Sequence, residues 1–525
     1  MSNSKTKDPD DQLKSFRIRA FTWISGLLVM LGILKLGTPI ILQEQLQTPK
    51  EWIGWIFFAW PMETAYALFA AWVLIGIRAL PFRKSTFPKF LWLPLIWLGW
   101  QFLSGLFTVD KSLTQAVLAH FIVLIGLFYG GYFLLSRCDS LRGISIMATI
   151  GLVMTMWSGT EQKFGGLEAT RQMIYQQSYW QTSYPEAFLK KAMTDQQWLQ
   201  NVSRDPNLLQ NAAAEYGFSS RVEYAGEGDS PLERDLAFLE KIGKDRIFGT
   251  LFYPNALAAA ILLLLPLSLF CLWNATSRLQ TPSRLLILAC FALWAIACIY
   301  WSGSKGGWLV AMIVMCLAFL FAKVPRALKV GLVFVLLMGG GGLFSWKYQD
   351  YFQKGATSVG ARFEYWRAAW ETSLDHPVLG TGPGTFMRAF SKTKTDGAEM
   401  TRLTHNDYLQ QASDAGWPSA IIYAVWMFGS LYWLRPKKLG DHPIREVIWL
   451  GLVAIALQNF IEFGLYIPAI AWPYFLLLGW LWGTSEAEQH AASKTAAGVA
   501  AGTPPSQDHC GLNTSGPRTN EGMEN

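Results

Sequence analysis

The chain has 525 residues, 52% hydrophobic and only 15% charged, with a mean hydropathy of +0.23, whereas soluble domains carry roughly 25% charged residues. Together with 25 Trp and 33 Phe, that balance excludes an ordinary cytosolic enzyme and describes an integral membrane protein with aromatic belts at the water–lipid boundaries. The formal net charge of +7 fits either an anionic partner or an uneven distribution across a bilayer, and a map of the charges separates the two.

A spanning helix needs about 20 mostly apolar residues. After an N-terminal tail, 1–19, twelve stretches qualify: 20–42, 53–77, 90–107, 114–136, 143–157, 251–273, 285–301, 307–322, 328–345, 417–434, 446–460 and 466–483. The first is too long for a signal core, contains Lys35 and lacks a small-residue cleavage site, so it reads as a span. Alternate connections are basic, as cytoplasmic loops are. The tail carries Lys5, Lys7, Lys14, Arg17 and Arg19, and the series continues through Arg78, Arg83, Arg137, Arg142, Arg278, Arg284, Lys323 and Arg326 to Arg435, Lys437, Lys438 and Arg445. Twenty Lys and Arg lie on that side, against Lys50, Lys111 and Lys305 in the short loops of the other. Both termini are therefore expected in the cytoplasm, and most of the +7 is orientation.

The expected organisation is all-α and polytopic, with about twelve transmembrane helices and short helices in two extracytoplasmic loops. An N-terminal bundle, 20–157, precedes a large outer loop, 158–250; central helices, 251–345, precede a second outer loop, 346–416; C-terminal helices, 417–483, lead to a disordered tail, 484–525. In the first loop, Ser230-Pro231-Leu232-Glu233 has the pattern of a capping box. Leu232, Leu236, Leu239 and Ile242 then share a helix face, and Asp205-Pro206 opens a helix that Gly217 closes. This cap either lies on the membrane surface or helps recognise an acceptor. Neither outer loop has a Cys, so no disulfide framework is expected, and no Cys/His cluster has zinc-ligand spacing.

The second loop holds more chemistry. A helix is expected from Val359 to Leu374, then the turn Gly380-Thr381-Gly382-Pro383-Gly384 and the run Thr404-His405-Asn406-Asp407-Tyr408-Leu409-Gln410. The glycine turn lacks a following Gly-Lys-Ser/Thr and a preceding strand, so it reads as a tight turn with its backbone against a neighbour rather than a phosphate loop. Of six His, only His376 and His405 lie in outer loops. His376, before Pro377, reads as a helix terminator. His405 falls in the first turn of a helix running to Gly416, where the dipole favours a neutral ring able to act as a general base; a helix-start or headgroup contact is the alternative. Arg246, Lys305 and Arg362 are cations near the outer surface. Singly they meet lipid phosphates; converging on one pocket they would suit a diphosphate. Lys35, Glu63 and Glu462 are costly ionisable residues in or beside spans, read as snorkelling or locally paired groups, or else as lining a polar pathway.

Several segments together resemble the O-antigen ligase and polymerase family: Arg246-Ile-Phe-Gly-Thr with Asn255; Gly303-Ser304-Lys305-Gly306-Gly307; Trp366 to Trp370 leading into His376-Pro-Val-Leu-Gly-Thr-Gly-Pro-Gly384; and His405-Asn406-Asp407-Tyr408-Leu409-Gln410. The resemblance covers about 240–430 by motif and nearly the whole chain by topology. It implies a bacterial inner-membrane protein with a fold similar to type C glycosyltransferases, which transfers a glycan from undecaprenyl diphosphate at the periplasmic face without metal or cofactor. His405 then matches the base and Arg246 a cation holding the diphosphate. Lys305 stands where many members have Arg, which keeps the charge and loses the bidentate fork. Asn255, Ser304, Gly382, Asn406 and Tyr408 are expected to support the site. The partners are a lipid-linked glycan donor, membrane lipids and an acceptor that is lipid A core, a polysaccharide or a protein, with no nucleic acid. A polymerase and a protein O-oligosaccharyltransferase remain alternatives within the family; a transporter or flippase, or a scaffold, are alternatives outside it. Alkaline phosphatase fused within 158–250 or 346–416 should be active, and fused at 278–284 or 435–445 inactive; the reverse pattern would invert the topology.

Overall fold

The computed structural model describes residues 9–45, 49, 52–57, 59–80, 88–138, 140–165, 183–218, 235–236, 239, 246–251, 253–321, 325–353, 357–395, 400–436 and 442–500. Among them regular structure is entirely helical. In chain order the helices are α1 (Pro9–Lys35), α2 (Trp52–Phe57), α3 (Met62–Ala79), α4 (Leu93–Gly105), α5 (Lys111–Phe133) and α6 (Arg142–Phe164). Three short helices follow, α7 (Glu186–Thr194), α8 (Gln196–Arg204) and α9 (Pro206–Tyr216), then α10 (Pro254–Ala275), α11 (Thr281–Ser302), α12 (Lys305–Phe321), α13 (Arg326–Val335) and α14 (Gly341–Gln353). The last are α15 (Thr357–Asp375), α16 (Phe386–Thr393), α17 (Asp407–Trp433), α18 (Pro443–Gln458) and α19 (Pro468–Ala500).

Among the described residues, seven helical segments are long and apolar enough to cross a membrane: Ser15–Lys35, Met62–Ala79, Lys111–Arg137, Arg142–Phe164, Pro254–Ala275, Thr281–Ser302 and Arg326–Gln349. Lys305–Leu320 is apolar and shorter. The chain is a multi-pass membrane protein. Several boundaries differ from the sequence reading, each for a local reason. The first span stops at Lys35 and gives way to a 3-10 turn, Ile40–Gln45, because Pro39 withholds a backbone donor. Pro61 divides the second stretch into α2 and α3. The fifth continues to Phe164, since its polar end, Thr160-Glu161-Gln162-Lys163, still favours helix. Lys35 and Glu63 thus sit in the last turn of α1 and the first turn of α3, the ends whose dipoles favour those charges. The expected disorder from 484 is also replaced, over 484–500, by helix: Ala, Glu, Gln and Lys dominate there and are strong helix formers. Residues Thr484–Asn525 form a unit separate from Met1–Gly483.

The packing uses small residues where helices approach closely. A Cβ on Gly26 of α1 would meet the Gly143 carbonyl of α6 at 2.6 Å, the kind of backbone approach that replaces the hydrophobic effect between helices in lipid. The short helices have their own apolar cluster, including Phe188, Leu199, Leu236 and Leu239. Asp205 caps α9 by accepting from the Asn207 amide at 2.9 Å, and Gly217 ends it with φ 79°. The Ser230–Glu233 capping box lies outside the described residues.

One device sets the direction of the chain near the functional end. Helix α17 is broken at Ala415 and Gly416, where Gly416 has φ 77°, and the Gly380–Gly384 turn closes onto the break. Thr381 and Gly382 amides donate to the Ser413 and Asp414 carbonyls at 3.2 and 2.8 Å, the Gly384 amide to Asp414 Oδ2 at 2.9 Å, and the Trp417 amide to the Pro377 carbonyl at 2.9 Å. Asp414 is fully buried and also accepts from Gln410 Nε2 at 2.8 Å; burial pushes its carboxyl up to about 7 despite these bonds. The glycines therefore serve backbone approach. Gly416→Val should lower the thermal midpoint in detergent by the equivalent of about 1–3 kcal/mol, because φ is positive and the Val378 carbonyl occupies the space. Gly360→Ala, on open helix surface, should not lower it, since alanine favours helix over glycine.

Candidate active site

The antiparallel run of spans brings the end of α11 and the starts of α10, α12 and α17 to one end of the bundle, beside the connection 459–467 that follows α18. Glu462 in that connection is buried and gathers partners from three other segments. Asn255 Nδ2 donates to its Oε1 at 2.6 Å and Tyr253 OH to its Oε2 at 2.8 Å. Arg362 of α15 forms an ion pair with Oε1. His405 Nδ1 lies 3.3 Å from Oε2. Arg246 joins through Asn255, with Nη2 donating to Oδ1 at 3.0 Å, while its Nε donates to the Ser302 carbonyl at 2.7 Å. Gly303, at φ 64°, lets that guanidinium pass: a Cβ there would sit 3.0 Å from Arg246 Nε.

Electrostatics explains why a buried carboxylate is tolerated. Burial alone raises the Glu462 pKa, but Arg362, then the His405 and Tyr253 hydrogen bonds, outweigh it and hold the carboxyl below the ordinary glutamate range. Burial and the neighbouring carboxylate push the Tyr253 phenol well up, so it remains a donor. The His405 ring is further fixed by Phe463, edge-on at 4.7 Å, and by Tyr365, stacked at 6.0 Å.

His405 lies one residue before the N-cap of α17, not in its first turn. Asn406 is the cap, its Oδ1 accepting from the Leu409 amide at 3.0 Å. His405 has φ 53°, the one positive value among described residues other than glycine, which turns its side chain out of the helix line. The expected first-turn position therefore gives way to one set by the Glu462 carboxylate at Nδ1.

The expected residues divide into two groups. His405, Arg246, Arg362 and Asn255 converge on Glu462, and Lys305 lies near enough to feel both Arg246 and Arg362. The others hold backbone. Ser304 Oγ caps α12 through the Gly307 amide at 3.2 Å, Tyr408 OH donates to the Ala456 carbonyl at 2.8 Å, and Gly382 lies against Thr108. Tyr365, three residues from Arg362 on α15, stacks on His405 and was not singled out in the sequence. Glu462 was visible in sequence as a costly anion beside a span, but its partners were not. Tyr253 was visible only as part of a motif, and Phe463 gave no signal.

Residues 290–424 match the O-antigen ligase family model. Over that segment the chain is similar to O-antigen ligases. The match holds Lys305, Arg362 and His405, while Arg246, Asn255 and Glu462 reach the same cluster from outside it. No curated protein matches the chain. The similarity supports glycan transfer of the O-antigen ligase type, in surface polysaccharide biosynthesis.

Removing one partner of a buried ion pair costs about 3–5 kcal/mol, so Glu462→Gln should lower the thermal midpoint measurably. Because the folded-state pKa of Glu462 is depressed, its contribution is present above the ordinary glutamate range and lost as pH falls through the lower folded value. Midpoints of wild type and Glu462→Gln, measured from neutral pH downward, should therefore converge below about pH 4; a constant gap would contradict the pairing.

Proposed function

We propose that the chain transfers a glycan from undecaprenyl diphosphate to an acceptor hydroxyl at the periplasmic face of the bacterial inner membrane, with both termini cytoplasmic. The observation that carries this reading is the convergence of Arg246, Arg362 and Lys305 on the same buried cluster as His405. Cations there match the charge that develops on a diphosphate leaving group, and a histidine matches the need to remove a proton from the nucleophile.

In this mechanism His405 carries its hydrogen on Nδ1, donated to Glu462, which leaves the Nε2 lone pair for the acceptor. The acceptor oxygen bonds to the anomeric carbon as the bond from that carbon to the phosphate oxygen breaks. The electron pair goes to the diphosphate, stabilised by Arg246, Arg362 and Lys305, and the acceptor proton goes to Nε2. In-line displacement inverts the anomeric configuration. Glu462 fixes the tautomer and stabilises the imidazolium, a positioning role. No metal is assigned a step, and activity should persist in chelator.

Lipid A core as acceptor makes the protein a ligase; a growing polysaccharide makes it a polymerase, and a protein hydroxyl makes it an O-oligosaccharyltransferase. Transport is not favoured, since Lys35 and Glu63, its motivating charges, sit at helix ends. His405→Ala should reduce transfer from a defined undecaprenyl-diphosphate glycan by about 10²-fold or more, with normal protein abundance and accumulating precursor. Full transfer by that variant would refute the base assignment.

A further inference from the structure

Two residues past His405, Asp407 opens α17 and is fully buried. An acid in the first turn of a helix ordinarily serves the dipole or the cap. Here Asn406 is already the cap, and the Asp407 side chain bonds outside its own helix. Its Oδ2 accepts from the Leu465 amide at 2.8 Å, while its backbone amide donates to the Asn459 carbonyl at 2.8 Å. One residue therefore ties both ends of the connection 459–465. Between those ends lie Glu462 and Phe463, which both bear on the His405 ring.

The Leu465 peptide is also held through its carbonyl. His120 of α5, fully buried, has Nε2 3.0 Å from the Leu465 oxygen. A carbonyl only accepts, so Nε2 carries the hydrogen. His120 Nδ1 and Asp407 Oδ1 have no hydrogen-bond partner among the described residues. Each of these buried side chains thus leaves one polar atom bare and spends the other on the same peptide, a cost that filling space does not require. The connection has little slack, because a Cβ at Gly464 would run into Asn459 Oδ1. Burial pushes the Asp407 carboxyl well above the ordinary aspartate range; the Leu465 amide opposes that, and the Glu462 charge adds to it. Asparagine, neutral and of the same shape, is therefore the conservative replacement.

Resting on the transferase reading above, we propose that Asp407 is a positioning residue, which clamps the 459–465 connection together with His120 and so sets Glu462 against His405. Asp407 touches neither substrate nor the base; it acts through the carboxylate that orients the base. The histidine and its partner are thereby tied by a residue of the same helix start, although they are 57 positions apart in sequence.

Turnover and amide exchange of the full-length protein in detergent test this. Asp407→Ala keeps the Asn459 bond, which the backbone makes, and loses the Leu465 bond. It should lower kcat for transfer from a defined undecaprenyl-diphosphate glycan at least about tenfold and speed hydrogen exchange at the Leu465 amide. Asp407→Asn, which keeps an accepting oxygen, should restore both. Because the effect runs through Glu462, adding Asp407→Ala to Glu462→Gln should cost little beyond Glu462→Gln alone. Wild-type kcat in Asp407→Ala, losses that multiply in the double variant, or an Asp407→Asn enzyme as slow as Asp407→Ala would each overturn the positioning role. Should Asp407→Ala fail to fold, His120→Leu decides: it frees the same peptide and should lower kcat likewise, and wild-type kcat in it overturns the clamp. No transfer by the wild type would instead refute the transferase reading; the exchange comparison then judges the clamp, and equal exchange at Leu465 in wild type and Asp407→Ala overturns it.

Discussion

A single buried carboxylate organises this end of the molecule. Glu462 lies in a short connection between two C-terminal helices and takes contacts from the start of α10, from α15 and from the residue ahead of the α17 cap. Left alone in an apolar surrounding it would protonate; with Arg362 beside it, it stays ionised. Arg362 is held here by that charge, and Arg246 by Asn255 and the Ser302 carbonyl. Segments far apart in sequence are tied here by charge, while most of the bundle is tied by packing.

That arrangement explains why His405 is not simply a helix-start residue. The backbone at His405 adopts a left-handed conformation uncommon outside glycine, and the Asn406 cap releases it from the helix. Ring contacts from Phe463 and Tyr365 and the carboxylate at Nδ1 then fix its orientation. The buried Asp414 network makes a complementary contribution: it locks the glycine turn onto the kink of α17 and so sets where the first half of that helix, and His405 ahead of it, can lie.

Much of this was legible in the sequence. Hydrophobic runs give the helices in nearly their observed places, because spanning length is a simple physical constraint. Prolines 39 and 61 moved boundaries that hydropathy averages over. His405, Arg246, Lys305 and Arg362 stood out because charged or titratable groups are rare in such a composition. Their common partner did not. Glu462 read as a snorkelling or locally paired group or one lining a polar pathway, since pairing with residues 57 to 209 positions away depends on tertiary contacts that no local pattern encodes. Gly382, Ser304, Asn406 and Tyr408 were noticed for their motifs, and their observed work is to hold backbone in place.

The central claim is that these cations form one diphosphate site with His405 at its sugar end. A cryo-electron-microscopy structure with a bound polyprenyl-diphosphate glycan measures this directly. The account predicts phosphate density beside Arg246, Arg362 and Lys305, with the first sugar facing His405 Nε2. Diphosphate density elsewhere on the protein, with this cluster unchanged from the ligand-free state, would contradict it.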